Sequence, residues 1–236
     1  MDIKLKLIQS RLLEISWPKE ISPKTLSEMI EVKRFLEKEY TEGIKEIRMG
    51  YHCLSLKLQI EITKEEAEEL LEEIQAVKLE IQVPTSKLWT IPVCYDGEWG
   101  IDLEKISKIH NLSPEEIIKR HLSPEYLLYF YGFLPGFMYL GGLDETLSTP
   151  RKSNPDRSVP AGSVAIGGKQ TGIYPSESPG GWHVLGNCPI SIFDINQNPP
   201  VKAQVNDKIK FKAIDLDEYK ELKALSKAGK YQLQHD

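Results

Sequence analysis

Apolar and charged residues alternate from the start of the chain, with Ile3, Leu5 and Leu7 on one face and a less regular continuation through Leu12, Leu13 and Ile15. A period of two marks a half-buried strand, so this segment predicts an edge strand or a pair of short ones. The period then lengthens: Leu26, Met29, Ile30, Phe35 and Leu36 recur at helical spacing, behind a Ser22 suited to the N-cap and a Pro23 suited to the first turn. Ile44 to Met49 and the clean alternation Leu54, Leu56, Leu58, Ile60 predict a hairpin turning near Gly50 and Tyr51. Thr63 with Glu66 reads as a capping box, and Ala67, Leu70, Leu71 and Ile74 give the helix behind it a buried face. Val77, Leu79, Ile81 and Val83 predict a closing strand. The resulting order, strand, helix, strand, strand, helix, strand, predicts a ferredoxin-like domain over residues 1–85.

Pro84-Thr85-Ser86-Lys87 breaks the pattern, and a second domain is expected over residues 86–236. It opens with a strand around Trp89 to Val93, a turn at Asp96-Gly97, and two short helices signalled by Asp102 and by the capping box Ser113-Pro114-Glu115-Glu116. Beyond Tyr126 helical periodicity stops, and 11 of the 16 glycines fall between Gly132 and Gly186. Short strands joined by tight turns, closed into a β-barrel, are the expected result. Its last strands are expected at Ile190 to Phe193 and Ile209 to Ile214, before a helical tail containing Tyr219, Leu222 and Leu225. The fold class predicted is therefore α+β.

Composition narrows the function. The charge is -5 with lysines scattered among glutamates, so there is no basic stripe for a nucleic acid. Charges interrupt every apolar run, which argues against a membrane span, and the N-terminal alternation is unlike a signal peptide. Cys53, Cys94 and Cys188 are odd in number and far apart, which fits a reducing cytoplasm. No histidine pair has ligand spacing, so no metal is expected. Gly167-Gly168-Lys169 is a near miss for a phosphate loop: Ser163 stands where Gly is needed and Gln170 where Ser or Thr is needed. Neither a dinucleotide fingerprint nor a G-x-S-x-G elbow is present.

What stands out is the segment from Phe130 to Gly186, where aromatic, amide, hydroxyl and guanidinium groups sit beside glycines. Those are the components of a concave site for a small polar ligand, although a purely structural barrel is equally open on composition alone. The blocks Gly132-Phe133-Leu134-Pro135-Gly136-Phe137-Met138-Tyr139-Leu140, Pro150-Arg151, Val159 to Ile166, Gln170 to Pro175 and Ser178 to Trp182 closely resemble, in order and spacing, the KipI/PxpB family, also called allophanate hydrolase subunit 1. The likeness extends upstream to Ile91 to Tyr95, Asp102-Leu103 and His121, and covers nearly all of the second domain; the first domain matches more loosely.

The resemblance implies a cyclophilin-like barrel and a subunit of a bacterial ATP-dependent 5-oxoprolinase, acting with PxpC-like and PxpA-like partners to open 5-oxoproline to L-glutamate. It also implies alternatives: inhibition of a histidine kinase, or carboxyl transfer in a urea carboxylase. For a carboxylate-bearing lactam, the candidate binding residues are Arg151, Gln170, Thr171, Tyr174, Arg157 and Trp182, with His121 a weak candidate for general base and no site for ATP located in the chain. Arg151 reads either as partner of the ligand carboxylate or as half of a surface ion pair. Thr171 reads more readily as serving backbone groups, Tyr174 and Trp182 equally as barrel core, and His121 as a helix-terminal histidine favoured by the dipole. Two positions depart from the family pattern. Asp156 stands where relatives carry a second arginine, with Arg157 one residue late, and Asn187-Cys188 replaces a common Arg-Thr pair.

Overall fold

The computed structural model describes residues 1–19, 22–76, 86–231 and 233–236. They form two compact units, divided between Thr85 and Ser86.

In the first unit the opening alternation becomes two strands, β1 (Lys4–Gln9) and β2 (Leu12–Ser16), paired as an antiparallel hairpin. Helix α1 (Pro23–Glu39) starts where the sequence signals it, with the Ser22 hydroxyl accepting from the Thr25 N–H at 3.2 Å. The hairpin of β3 (Ile44–Met49) and β4 (Cys53–Leu58) joins β2, giving the antiparallel order β1-β2-β4-β3. Helix α2 (Lys64–Ala76) opens on a reciprocal box: Thr63 N–H to Glu66 at 2.7 Å, and Glu66 N–H to Thr63 at 3.2 Å. Leu13, Ile15, Leu54 and Leu56 from the sheet bury against Met29, Val32, Leu36 and Ile74. The expected strand at Val77 to Val83 lies outside the described residues. Among the described residues this unit is an antiparallel sheet with two helices, in which β1 lies beside β2.

The second unit is a closed barrel. Strand β5 (Leu88–Cys94) enters it, helices α3 (Leu103–His110) and α4 (Pro114–Leu122) follow, and then come β6 (Tyr126–Tyr131), β7 (Met138–Gly141), β8 (Asp156–Val159), β9 (Ser163–Gly167), β10 (Gln170–Ile173), β11 (Ser178–Gly180), β12 (His183–Asn187) and β13 (Lys208–Ile214). The ring runs β5-β12-β9-β10-β7-β6-β13 and returns to β5, β12 meeting β5 at Asn187 and Cys94. Closure gives every strand of the ring a partner on either side. Strands β8 and β11 pair separately as a two-stranded arm, and after α5 (Leu216–Lys227) the short β14 (Gln234–His235) adds to β5. The chain is thus α+β, and among the described residues no helix is long and apolar enough to cross a membrane.

Alternation assigns each barrel strand two faces. Met138 and Leu140, Val164 and Ile166, Ile173, and Leu185 point into the interior core with Ile91 and Phe211. Ala165, Val184, Tyr174, Phe137 and Trp182 gather in a second cluster on the other side of the same strands, under Val159 of the arm. The expected strand at Ile190 to Phe193 is absent: Ile190 and Ile192 are buried, but the segment is irregular. Pro189 has no N–H to give a ladder, and the Ser191 N–H goes to the Ser226 hydroxyl at 3.0 Å, so alternation here records burial without pairing.

Candidate functional site

The outer aromatic cluster opens into a cavity of about 330 Å³. Phe133, Phe137 and Tyr139 supply one wall from the β6–β7 turn and β7, Arg151 and Lys152 a second from the irregular segment before β8, and Tyr174 and Trp182 the floor. Phe137 meets Tyr174 and Trp182 edge to face, with ring centroids 5.0 and 5.5 Å apart and planes at 88° in both pairs. Such perpendicular contacts match ring edge to ring face and fix the floor's shape.

Two glycines make this packing possible by lacking a Cβ. A Cβ on Gly180 would lie 2.3 Å from the Tyr174 hydroxyl, and one on Gly167 would lie 2.8 Å from the Trp182 ring. The turn above them is strained at Phe133, whose φ of 61° is left-handed although the residue is not glycine. The Leu134 N–H closes back on the Gly132 carbonyl at 2.6 Å, making Phe133 the centre of a three-residue turn, and 61% of Phe133 is exposed at the cavity mouth.

The cavity's two cations differ in their surroundings. Arg151 is exposed, holds its guanidinium 5.5 Å from the Trp182 ring centroid, and makes no ion pair with a carboxylate among the described residues. The Lys152 side chain is almost wholly buried, its Nζ 2.6 Å from Asp102 Oδ2 and 2.5 Å from Asp156 Oδ2. Burial works against its charge, but hydrogen bonds and attraction to both carboxylates outweigh that and hold its pKa above the ordinary lysine value. Asp102 is itself anchored: its N–H donates to the Val184 carbonyl at 2.9 Å, and its Oδ2 accepts the Val184 N–H at 2.8 Å. The Tyr174 phenol, pushed up to about 12 chiefly by burial, stays protonated and can donate.

Of the residues singled out in the sequence, the fold brings Arg151, Tyr174 and Trp182 to the cavity. Thr171 is not there. Alternation along β10 turns it inward with Ile173, where its hydroxyl donates to the Ala165 carbonyl at 3.1 Å. Gln170, half-buried at the start of β10, pairs with Gly141 and Gly167 and does not line the cavity; nor does Arg157, exposed on β8.

His121 does not fit the role of general base. It is fully buried in the core, stacked on Phe211 at 4.9 Å, with Nδ1 2.8 Å from the Tyr95 hydroxyl and Nε2 2.9 Å from Thr171 Oγ1. Because Thr171 donates to Ala165, it accepts from Nε2–H, and Nδ1 accepts from Tyr95, so both ring nitrogens are spent. Burial drives its pKa down to about 3, which also overrides the helix-dipole reading, since the imidazole is neutral.

Sequence reasoning missed Lys152. Its one signal is adjacency to Arg151; nothing in the sequence announces that two aspartates will surround it. It also read Asp102 as a helix signal, and although α3 does begin there, the carboxylate makes no capping bond and goes to Lys152 instead. Asp156, in the place of a family arginine, is the other half of that pairing. Asn187 is buried, its amide donating to Ala161 O at 2.9 Å and accepting from Tyr219 at 2.9 Å, so this replacement serves the barrel wall. The buried thiols are inert: burial pushes Cys188 to about 12 and raises Cys94. Among the described residues no cluster of His, Cys, Asp or Glu could hold a metal.

The closed barrel therefore carries an aromatic, cation-flanked hollow on its outer wall. The chain belongs to the family described as carboxyltransferase domain, subdomain C and D, whose model matches residues 3–203, and within it to the KipI/PxpB proteins. It is 46% identical over 159 residues to a Bacillus subtilis protein named as a subunit of 5-oxoprolinase, covering 67% of this chain and 65% of that one. The match therefore spans just under two thirds of that relative's length. A Haemophilus influenzae protein of the same name is 42% identical over 170 residues, covering 72% of this chain and 79% of that one. The K. lactis urea amidolyase shares the fold at a TM-score of 0.82 and 18% identity, covering 99% of this chain and 16% of that one.

Proposed function

We propose that this chain is the lactam-binding subunit of a cytoplasmic, ATP-dependent 5-oxoprolinase that opens 5-oxoproline to L-glutamate with PxpC-like and PxpA-like partners. The observation that carries this reading is Arg151, a guanidinium without a carboxylate partner among the described residues, at the rim of a cavity floored by flat aromatic rings and the Tyr174 phenol. A five-membered lactam bearing a carboxylate presents the complementary surfaces: an acid for Arg151, an apolar ring for the exposed Phe133 at the mouth and an amide for the phenol. The names of the relatives, as subunits of 5-oxoprolinase, support the same assignment.

Opening a lactam requires amide resonance to be broken, and phosphorylation of the amide oxygen by ATP would supply the better electrophile. The described residues of the cavity do not fit a triphosphate. The single guanidinium of the cavity is a poor match for several negative charges, and Gly167-Gly168-Lys169 turns from β9 into β10 instead of opening a helix N-terminus. ATP is therefore assigned to the partner subunits, and this chain binds and orients the lactam. The test is glutamate release from 5-oxoproline by the chain reconstituted with its partner subunits. Turnover is expected from the set and none from the chain alone; a complete set without turnover overturns the reading.

The family's carboxyltransferase description favours a second reading, carboxyl transfer to a urea-like amide. That reaction needs a biotinylated carrier, so carboxylation assays with and without one separate the two.

A further inference from the structure

Lys152 presents a problem that the reading above leaves untouched. An ammonium has three N–H donors, and two of them are committed, to Asp102 at 2.6 Å and Asp156 at 2.5 Å. The third has no acceptor among the described residues, and Lys152 is one of the residues that line the cavity. A solvated surface lysine would satisfy the third donor with bulk water at little cost, but this side chain is only 7% exposed. Its position is also fixed from several directions. Its own backbone N–H donates to the Gly181 carbonyl at 2.7 Å, next to the cavity floor, and Asp102 is clamped to both backbone groups of Val184 on β12. A donor so rigidly held in a half-apolar cavity is preorganised for an acceptor brought by a ligand.

We propose that Lys152 is a second ligand-contacting cation of this cavity, presenting one ammonium N–H to the carbonyl oxygen of a bound lactam while Asp102 and Asp156 hold it in place. This rests on the lactam-binding reading of the same cavity. The division of labour between neighbouring residues follows from charge. Two carboxylates already over-match Lys152, so a third full negative charge beside it would be repelled, while the partial charge of an amide oxygen is tolerated. Arg151, without a carboxylate, takes the ligand's acid. Asp156 then tempers the field that Lys152 exerts on that oxygen, making it a specificity determinant that does not itself line the cavity.

Calorimetric titration of the full chain with three probes tests this: 5-oxoproline, 2-pyrrolidinone, which keeps the lactam carbonyl and lacks the acid, and proline, which keeps the acid and lacks the carbonyl. Lys152→Met is expected to weaken 5-oxoproline binding by roughly tenfold or more, as for a lost charge-assisted hydrogen bond, and to abolish its preference over proline. Arg151→Gln should instead abolish the preference over 2-pyrrolidinone. Asp156→Asn should tighten 5-oxoproline binding, by about two- to fivefold, a gain that structural damage does not produce. If Lys152→Met and Asp156→Asn both bind as wild type while Arg151→Gln weakens, the inference fails and the lactam reading stands. If the wild-type chain binds none of the three, the lactam reading itself fails and carries the inference with it.

Discussion

The ammonium of Lys152 and the carboxylate of Asp102, fifty positions apart in sequence, lie 2.6 Å from each other with both side chains under a tenth exposed. Asp102 simultaneously closes two hydrogen bonds on the backbone of Val184. It thus ties the start of α3, the segment carrying Arg151 and the barrel strand β12 into one unit. Asp102→Ala removes the acceptor for both Lys152 and the Val184 N–H, and is expected to cost about 3 kcal/mol in urea unfolding. Asp156→Asn, whose carboxylate is 41% exposed, should cost less than about 1 kcal/mol.

His121 makes stability depend on pH. Its folded pKa, lowered to about 3 by burial, lies below the ordinary 6.5, so the unfolded chain binds a proton that the folded chain refuses. The contribution is complete above pH 6.5 and is lost as pH falls toward 3. By pH 4.5 this one group accounts for about 2–3 kcal/mol of lost stability. Urea midpoints at pH 7 and 4.5 should differ less in His121→Gln than in wild type, and equal differences would refute the assignment.

Gly180→Ala places a methyl group against the Tyr174 hydroxyl, where an ideal Cβ would sit at 2.3 Å. The ring must tilt or β11 must shift, at a cost of roughly 1–3 kcal/mol for overpacking. Because Tyr174 forms the floor of the cavity, thermal melting and 5-oxoproline titration should deteriorate together.

Phe133→Gly separates strain from function. The left-handed backbone at φ 61° disfavours any side chain there by about 1 kcal/mol, and glycine removes that cost while adding entropy to the unfolded chain. Exposure of 61% limits the packing lost. Urea stability should stay within about 1 kcal/mol of wild type, while ligand affinity falls with the loss of the aromatic rim.

Local rules read much of this protein directly. The Ser22, Thr63 and Ser113 caps all form, because a cap involves only a hydroxyl and an N–H three residues on. The pair of short strands at the N-terminus and the change to glycine-rich β structure after Tyr126 are also as the periodicity predicts. Arg151, Tyr174 and Trp182 stand in blocks recognisable by order and spacing, and the fold brings all three to one cavity. Thr171, in the same block, lies away from the cavity for a reason alternation itself supplies: it shares a face with Ile173, and that face is the barrel interior.

The sequence by itself determined the α+β class, the helix starts, the family and the region of chain that forms the cavity, since each depends on neighbours within a few residues or on matched blocks. Only the tertiary structure decided which side of the barrel wall carries the cavity, that His121 is a neutral core residue, and that Lys152 sits between two aspartates. Those outcomes depend on strand register and on burial, and both come from contacts between residues distant in sequence, where desolvation and Coulomb attraction are set by what the fold places nearby.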